Sequence, residues 1–293
     1  MGYPIAQLSN STLRLEKWVR VQDVVEYIRA RQNDDGGYTF AQGSESSAQD
    51  TFFAIQMLKL FDVQPRNVEE TTRFLKKLQH SDGGFDSIRV AYYIMKTLTS
   101  FEDRPRLPVR DYILFLQKDH GGFSGLEAFW DVPSEMEDTY LALAVLEEVG
   151  GELRLENTVK LILKSQNSDG SFGKADYSQI ASTYYSLASL RILGYEVENF
   201  KETLKWIRGM ELPQGGFGET YINIDQYMGI EDVYFGVKAL EILNQRLAYP
   251  AQTLDLISRF RNNNGGFRRS SVLGISTFEA TYQALSAMEA ILK

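Results

Sequence analysis

Cysteine is absent from the 293-residue chain, and histidine occurs only twice, at His80 and His120. The lack of thiols excludes disulfide bonds, cysteine nucleophiles and thiolate zinc sites. Two histidines argue against a multi-histidine metal centre and against a histidine-based catalytic triad. Both lie in polar turns, so we expect them to be surface loop residues.

Positive charge is also scarce, with 31 Lys and Arg against 39 Asp and Glu and a net charge of −8. Nucleic-acid binding needs clustered basic residues, so this balance argues against a nucleic-acid partner. No apolar run approaches the roughly 18 residues of a membrane-spanning helix. Residues 1–18 lack the basic and apolar regions of a signal peptide. We therefore expect a cytoplasmic protein without a membrane span.

Proline numbers only seven, whereas glycine numbers 23 and recurs in one turn motif. The pair of small residues in this motif stops the preceding helix, because glycine tolerates positive φ. The variable spacing of its copies suits a helical-hairpin repeat with loops of different lengths. The six copies are "QNDDGGY" (32–38), "QHSDGGF" (79–85), "QKDHGGF" (117–123), "QNSDGSF" (166–172), "LPQGGF" (212–217) and "RNNNGGF" (261–267).

Two kinds of helix flank each turn. The stretch before it has apolar residues at helical spacing among charges, as in "VEETTRFLKKLQ" (68–79), which predicts an amphipathic outer helix. The stretch after it is almost continuously apolar, as in "DTYLALAVLEEV" (138–149), which predicts a buried inner helix. Six such hairpins imply an all-α fold, an (α/α)6 toroid whose inner helices surround a central cavity. We expect residues 20–293 to form this single domain and residues 1–19 to be a leading segment.

Alignment of the six inner helices gives two informative columns. The first has carboxylates in alternate repeats, at Asp50, Asp138 and Asp232. Such a set can bind a cation, donate a proton or stay solvated at a cavity mouth. The second column, two places on, is aromatic in every repeat. It suits an apolar or cationic ligand, and equally suits plain core packing. Its members are Phe52, Tyr92, Tyr140, Tyr184, Tyr234 and Tyr282.

The turn motif, its six copies and the aromatic starts of the inner helices resemble the prenyltransferase β-subunit and squalene-cyclase repeat family. The resemblance covers residues 20–293, and the Gly-Gly-Phe form of the turns is closer to protein prenyltransferase β subunits. It implies an isoprenoid or similar apolar ligand in the cavity and an enzyme that transfers or cyclises prenyl groups. It also implies a helical-repeat partner subunit of the α type.

In that family the prenyltransferases hold zinc with Asp, Cys and His, and the corresponding positions here are Glu231, Val233 and Glu279. Carboxylates alone make a poor zinc site, because zinc favours nitrogen and sulfur ligands. We therefore expect no zinc and no metal site, with Mg²⁺ as the one cofactor that the resemblance allows, as a diphosphate counter-ion. The segment "YINIDQYMGI" (221–230) offers no basic residue for a diphosphate. Arg268 and Arg269, together with Lys174 and Arg89, are then the best available diphosphate contacts, although solvated loop charge also explains them.

The cyclases of the same family protonate an alkene with an Asp in a D-x-D-D-T motif. The segment "EMEDT" (135–139) resembles an acidic variant of this motif, with Glu137 at the position of the donor. A carboxylic acid in an apolar pocket has a raised pKa, which suits a proton donor. The catalytic candidates of the whole chain are Asp138, Glu137, Glu231, Asp232 and Asp50.

Helix capping is the structural alternative for several of these carboxylates. Ser134–Glu137 and Ser276–Glu279 both have the S-x-x-E pattern of a capping box, and Ser46–Gln49 is its amide counterpart. Glu231 differs, because the residue three places before it is Met228, which cannot cap a helix.

Three functional hypotheses remain open at this point. The leading one is an isoprenoid-handling enzyme, in which Asp138 or Glu137 would start a cyclisation or Tyr234 with the two arginines would hold a diphosphate. The second is a non-catalytic binding toroid that has lost the chemistry. The third is a carbohydrate-active α/α toroid in which Glu231 with Asp138 or Asp232 would act as acid and base.

Overall fold

The computed structural model describes residues 10–125, 134–151, 153, 155–174, 178–218 and 229–293. Outside this part of the chain lie residues 1–9 of the predicted leading segment and residues 221–228 of the segment without basic residues. Between the turns and loops, the regular secondary structure of the described residues is helical apart from one pair of two-residue strands, so the all-α prediction is confirmed.

The helices alternate along the chain between exposed outer and buried inner members. A short 3-10 helix, Val197–Asn199, precedes α10, and β1 Phe267–Arg268 pairs antiparallel with β2 Ser276–Thr277. The α-helices are α1 Asn10–Leu15, α2 Val21–Arg29, α3 Ala48–Leu60, α4 Val68–Lys77, α5 Ile88–Ser100, α6 Arg110–Phe115, α7 Glu135–Val149, α8 Glu156–Lys164, α9 Gln179–Ile192, α10 Lys201–Met210, α11 Ile230–Ile242, α12 Pro250–Ser258 and α13 Phe278–Leu292.

The chain forms two compact units. Unit 1 consists of Met1–Val68, Glu211–Val237 and Arg246–Lys293. Unit 2 consists of Glu69–Met210 and Lys238–Gln245. In unit 1 the inner helix α13 packs against α3 and also against α1. In unit 2 the inner helix α7 packs against α5 on one side and α9 on the other.

The difference between outer and inner helices follows from their residue patterns. The outer helix α4 buries only Thr71 and Leu75, one turn apart, and exposes its charged residues to solvent. The inner helix α7 buries nine residues between Met136 and Leu146. Burial of this kind supplies the main favourable term in folding, because it removes apolar surface from water on nearly every side of the helix.

Side-chain caps begin most inner helices, but two of them lie one residue later than the sequence patterns predict. Ser134 caps α7 as predicted, since its hydroxyl accepts a hydrogen bond from the Glu137 amide at 3.1 Å. The predicted Ser46–Gln49 and Ser276–Glu279 pairs are wrong, because Ser47 caps α3 and Thr277 caps α13. Both segments contain two adjacent hydroxyl residues, and the capping-box pattern does not tell which of the two is the N-cap.

In unit 2 glycine turns pack against the start of the outer helix of the next repeat. Gly170 has φ +95°, and a Cβ added there would lie 2.4 Å from the carbonyl oxygen of Glu202 at the start of α10. Its own carbonyl accepts a hydrogen bond of 2.7 Å from the Thr203 hydroxyl. The turn therefore needs glycine for two reasons, the positive φ and the close approach of the next helix.

A buried threonine fastens four of the six turns to the inner helix that follows. In each case the threonine hydroxyl accepts a hydrogen bond of 2.9–3.1 Å from the backbone N–H of the turn aromatic. The sequence shows this position as the column directly after the first carboxylate column, but its role was not predicted. The four threonines are Thr51, Thr139, Thr183 and Thr281.

We expect Thr139→Val to lower the free energy of unfolding by about 1–3 kcal/mol, because the buried Phe123 N–H would lose its acceptor. Thr139→Ser keeps the hydroxyl and is the matched control. Chemical denaturation of the two variants measures the difference. Equal stabilities of the valine and serine variants would contradict this role for the hydroxyl.

Candidate functional site

The aromatic column of unit 2 forms one continuous cluster of five tyrosines. Ring centroids lie 6.2 Å apart for Tyr92 and Tyr140, and 5.8 Å apart for Tyr140 and Tyr184. Tyr93 and Tyr185, the next residues along their helices, extend the cluster at 5.8 Å from Tyr92 and 5.4 Å from Tyr140. These tilted and edge-on contacts are the geometry that aromatic pairs prefer.

Unit 1 contains a second cluster built from the same column. Phe52 and Tyr234 each lie 6.1 Å from Tyr282, measured between ring centroids. Phe53 lies 5.4 Å from Tyr282, and Phe235 lies 5.2 Å from Tyr234. The second turns of three inner helices, α3, α11 and α13, therefore bring their rings together.

The members of the aromatic column differ in exposure. Phe52 and Tyr184 are buried, at 5% and 7% exposure. Tyr92, Tyr140, Tyr234 and Tyr282 are only half-buried. A ring that packs on one side and is partly accessible on the other has apolar surface left for a ligand, whereas a plain core ring does not.

An ion pair lies one helical turn before the aromatic residues in unit 2. Arg89 on α5 and Glu137 on α7 form a salt bridge of 3.0 Å, and both side chains are largely buried. Each of them precedes a tyrosine of the cluster by three residues, Tyr92 and Tyr140, and so shares its helix face. Burial raises the pKa of Tyr185 well above its usual value, and the neighbouring Glu137 charge adds to this rise. The cluster is thus buried at its core, and an ion pair lies at its edge.

Unit 1 has the same arrangement with different partners. Arg269 donates a hydrogen bond of 2.6 Å to Glu231, which lies three residues before Tyr234 on α11. Glu279, three residues before Tyr282 on α13, accepts a hydrogen bond of 3.3 Å from Gln49. The hydrogen bond with Glu231 raises the pKa of Arg269, and the charges of Glu231, Glu279 and Asp232 act in the same direction. One guanidinium therefore balances several carboxylates next to the aromatic cluster.

Asp50 and Asp138 hold the backbone that follows their turns. Asp50 accepts a hydrogen bond of 3.2 Å from the Phe40 amide, and Asp138 accepts one of 3.4 Å from the Gly125 amide. Asp138 is only 3% exposed. Burial raises the pKa of Asp50, against the lowering effect of the hydrogen bonds from Phe40 and Ser47. The regular spacing of these carboxylates therefore has a structural use.

Arg268 and Arg269 are adjacent in sequence and occupied in different ways. The Arg268 guanidinium donates hydrogen bonds to the carbonyls of Arg259, Arg261, Ser270 and Ser271 and to the Asn262 side chain. The Arg269 guanidinium pairs with Glu231, and its side chain is 75% exposed. Of these two adjacent arginines, only Arg269 has a guanidinium that can reach a ligand without breaking the hydrogen bonds that hold a loop.

The positions that correspond to the family's zinc ligands do not fit zinc. Val233 is fully buried and has no ligand atom, Glu231 is engaged with Arg269, and Glu279 is exposed. Among the residues that the structure describes, no three His, Cys, Asp or Glu side chains are grouped so that they could hold a metal ion. Both histidines are exposed as predicted, His80 beside Asp86 and His120 beside Glu135.

The ion pairs themselves were not predicted. Three of their four residues, Arg89, Glu137 and Glu231, belong to the column directly before the first carboxylate column, whereas Arg269 directly follows β1. This column is polar in five of the six repeats. This polarity is the signal that the sequence carries for a charged rim beside the aromatic residues. The column holds Gln49, Arg89, Glu137, Ala181, Glu231 and Glu279.

Comparison with solved structures finds the same fold in several proteins. Protein geranylgeranyltransferase-I of Candida albicans, complexed with GGPP, matches with a TM-score of 0.69 and 16% identity, over 92% of this chain and 90% of that chain. The type II terpene cyclase MstE of Scytonema, in complex with geranylgeranyl dihydroxybenzoate, matches with a TM-score of 0.63 and 10% identity, over 96% and 97%. A protein from Actinoplanes matches with a TM-score of 0.58 and 14% identity, over 93% and 98%.

Sequence comparison with curated proteins finds no significant match. In the part of the chain that the structure describes, no helix has the length and apolarity needed to cross a membrane. The sequence profile of the prenyltransferase alpha-alpha toroid domain matches residues 5–87, 86–178, 154–231 and 225–292, nearly the whole chain. The predicted α/α toroid is therefore confirmed, and the chain belongs to the prenyltransferase α/α-toroid family.

Proposed function

We propose that this protein binds an isoprenoid carrying an anionic head group, with the chain against the aromatic clusters and the head group at the charged rim. The observation that carries the proposal is the pairing of half-buried tyrosines with an arginine–glutamate ion pair one turn away, found in both units. An amphiphile with a long apolar chain and a phosphate matches this arrangement of an aromatic surface next to a charged one.

The aromatic clusters suit a prenyl chain on physical grounds. Each isoprene unit is branched and unsaturated, and it packs well on the tilted faces of aromatic rings. Burial of apolar surface on both partners supplies the binding free energy. GGPP and geranylgeranyl dihydroxybenzoate, the ligands of two structural relatives, both carry such a chain.

Arg269 is the proposed contact for the head group. A guanidinium binds phosphate oxygens with two parallel hydrogen bonds, and its 75% exposed side chain is accessible to a ligand. Glu231 holds it at 2.6 Å in the free protein, so a bound anion would have to compete with this carboxylate. A diphosphate carries more charge than one carboxylate and is the stronger partner. Mg²⁺ would then accompany the diphosphate as a counter-ion rather than occupy a protein site.

Thermal-shift measurements with geranylgeranyl diphosphate, geranylgeraniol and inorganic diphosphate test the proposal. A ligand at about 100 times its dissociation constant stabilises the folded state by about 2.7 kcal/mol. For a chain of this size that corresponds to roughly 4–5 °C in Tm. We expect the largest shift with the prenyl diphosphate, a smaller one with the alcohol and the smallest with inorganic diphosphate. A shift with cellohexaose and none with the prenyl compounds would overturn the proposal in favour of a carbohydrate-active toroid.

A toroid that binds the prenyl compound without transforming it is the second candidate. It is supported by the occupation of the candidate acids, since Glu137 pairs with Arg89 and Asp138 accepts a backbone hydrogen bond. A salt bridge favours the ionised carboxylate, whereas a proton donor must be protonated. Mass spectrometry of the organic extract after incubation with geranylgeranyl diphosphate separates the candidates. Unchanged substrate fits the binding module, and a cyclised or diphosphate-free product fits the enzyme.

A further inference from the structure

Three large apolar side chains are exposed together between β1 and β2. Val272 is 58% exposed, Leu273 75% and Ile275 69%. We call Val272–Ile275 the apolar tip. The other residues of this connection are Arg269, Ser270, Ser271 and Gly274, so the tip is a small apolar patch on a polar loop. Exposure of neighbouring large apolar residues costs solubility and marks an interaction surface.

The loop that carries the apolar tip is held in place by hydrogen bonds. Arg268 donates to the carbonyls of Ser270 and Ser271 on one side and of Arg259 on the other. The Asn262 side chain donates to the carbonyl of Gly274 at 3.2 Å. A flexible loop could fold its apolar residues back onto the protein, whereas this one is fixed with them in solvent. The guanidinium that the sequence suggested for diphosphate binding is used for this purpose.

The apolar tip begins next to the proposed head-group site. Arg269 connects the two, since it follows β1 directly and its carbonyl accepts a hydrogen bond of 3.0 Å from the Ile230 amide at the start of α11. Its guanidinium pairs with Glu231 on the same helix. The tip therefore leaves the protein within unit 1 at the same helix end that carries the charged rim of the aromatic cluster.

The residue types favour a lipid bilayer over a protein as the occupant. Binding hot spots between proteins are enriched in Trp, Tyr and Arg and contain few Leu, Val and Ser residues, which are the residues of this loop. Aliphatic side chains gain free energy from any hydrocarbon environment without needing a shaped pocket. Arg259 and Arg269 are both exposed beside the loop and can pair with lipid phosphates.

We propose that the apolar tip inserts into the surface of a phospholipid bilayer, with Arg259 and Arg269 at the level of the head groups. This inference rests on the proposed function, because a prenyl amphiphile is dissolved in bilayers and poorly soluble in water. A tip that enters the bilayer beside the site lets the ligand move between lipid and protein without crossing water. Insertion is shallow and reversible, because three aliphatic side chains provide little apolar area.

Flotation with vesicles of phosphatidylcholine containing phosphatidylserine tests the insertion. The full chain should float with the vesicles, and Leu273→Glu should weaken the association about tenfold or more, because a carboxylate replaces the most exposed apolar residue of the tip. Phe115→Glu is the matched control, since Phe115 on α6 is 81% exposed and lies outside the tip. It should float like the unmodified protein, also at high salt, where purely electrostatic attraction is screened.

Absence of flotation by the unmodified protein, or equal loss in both variants, would overturn the proposal. A concentration-dependent dimer in mass photometry that Leu273→Glu abolishes would also overturn it and assign the tip to a second copy of the chain. Geranyl diphosphate, which is short and water-soluble, separates this inference from the proposed function. Its thermal shift should be the same with Leu273→Glu as without it, and a missing shift in both would contradict the proposed function instead.

Discussion

Gly170→Ala should lower the free energy of unfolding by about 2–5 kcal/mol. Two costs add up, because an L-residue in the left-handed region is strained by about 1–2 kcal/mol and overpacking costs about 1–3 kcal/mol. The overpacking arises because the new Cβ would lie 2.4 Å from the backbone of Glu202, which cannot move without shifting the start of α10. In a thermal melt we expect a decrease in Tm of roughly 3–8 °C.

Gly194→Ala is the matched control for this prediction. Gly194 has φ +82°, close to the +95° of Gly170, but a Cβ there would meet nothing within 4 Å. Its replacement should cost only the backbone strain of about 1–2 kcal/mol. Gly209→Ala, in the last turn of α10 with open space around it, should stabilise the helix by at most about 0.5–1 kcal/mol. Equal losses at Gly170 and Gly194 would show that the turn does not pack against the next helix as described.

Most of the fold could be predicted from the sequence because the same pattern of turns and helices repeats along the chain. Glycine turns, amphipathic outer helices and apolar inner helices each follow from local composition, and their repetition makes the assignment strong. The helix starts were less certain at Ser46–Ser47 and Ser276–Thr277, where either hydroxyl residue satisfies the capping pattern. Which one caps depends on the path of the incoming loop, and local sequence does not contain that path.

The candidate site was predicted only where it repeats. The aromatic column recurs in every copy, so its position on the inner helices was evident before the structure. The ion pairs join different copies, with Arg89 and Glu137 48 residues apart and Arg269 and Glu231 38 apart. Such pairs depend on which helices become neighbours and on which way a loop turns, as for Arg268 and Arg269. Tertiary packing decides both.

Arg269→Ala should reduce the affinity for geranylgeranyl diphosphate about 10- to 100-fold, the scale of one or two charge-assisted hydrogen bonds to phosphate. The affinity for geranylgeraniol should stay within about twofold, since the alcohol has no charge for the guanidinium to bind. The difference between the two ligands is the decisive quantity, because a general disturbance of the site would weaken both. Titration of each ligand against intrinsic tyrosine and tryptophan fluorescence measures it.

Arg268→Ala is the control that separates charge from position. It removes the neighbouring arginine, whose guanidinium holds the loop 259–271 and does not face the rim. We expect a loss of stability from this variant but no selective loss of the diphosphate. Selectivity that depends on Arg268 and not on Arg269 would contradict the assignment of the head-group contact.

Glu231→Gln should act in the opposite direction and raise the affinity for the diphosphate by about three- to tenfold. The carboxylate competes with the ligand for Arg269 at 2.6 Å in the free protein, and an amide competes less because it carries no charge. The alcohol again serves as the neutral reference. In the double variant Glu231→Gln, Arg269→Ala the gain should vanish, because the two substitutions act through one guanidinium. A gain in affinity that persists without Arg269 would mean that Glu231 repels the diphosphate directly. The ion pair between Glu231 and Arg269 would then have no part in binding.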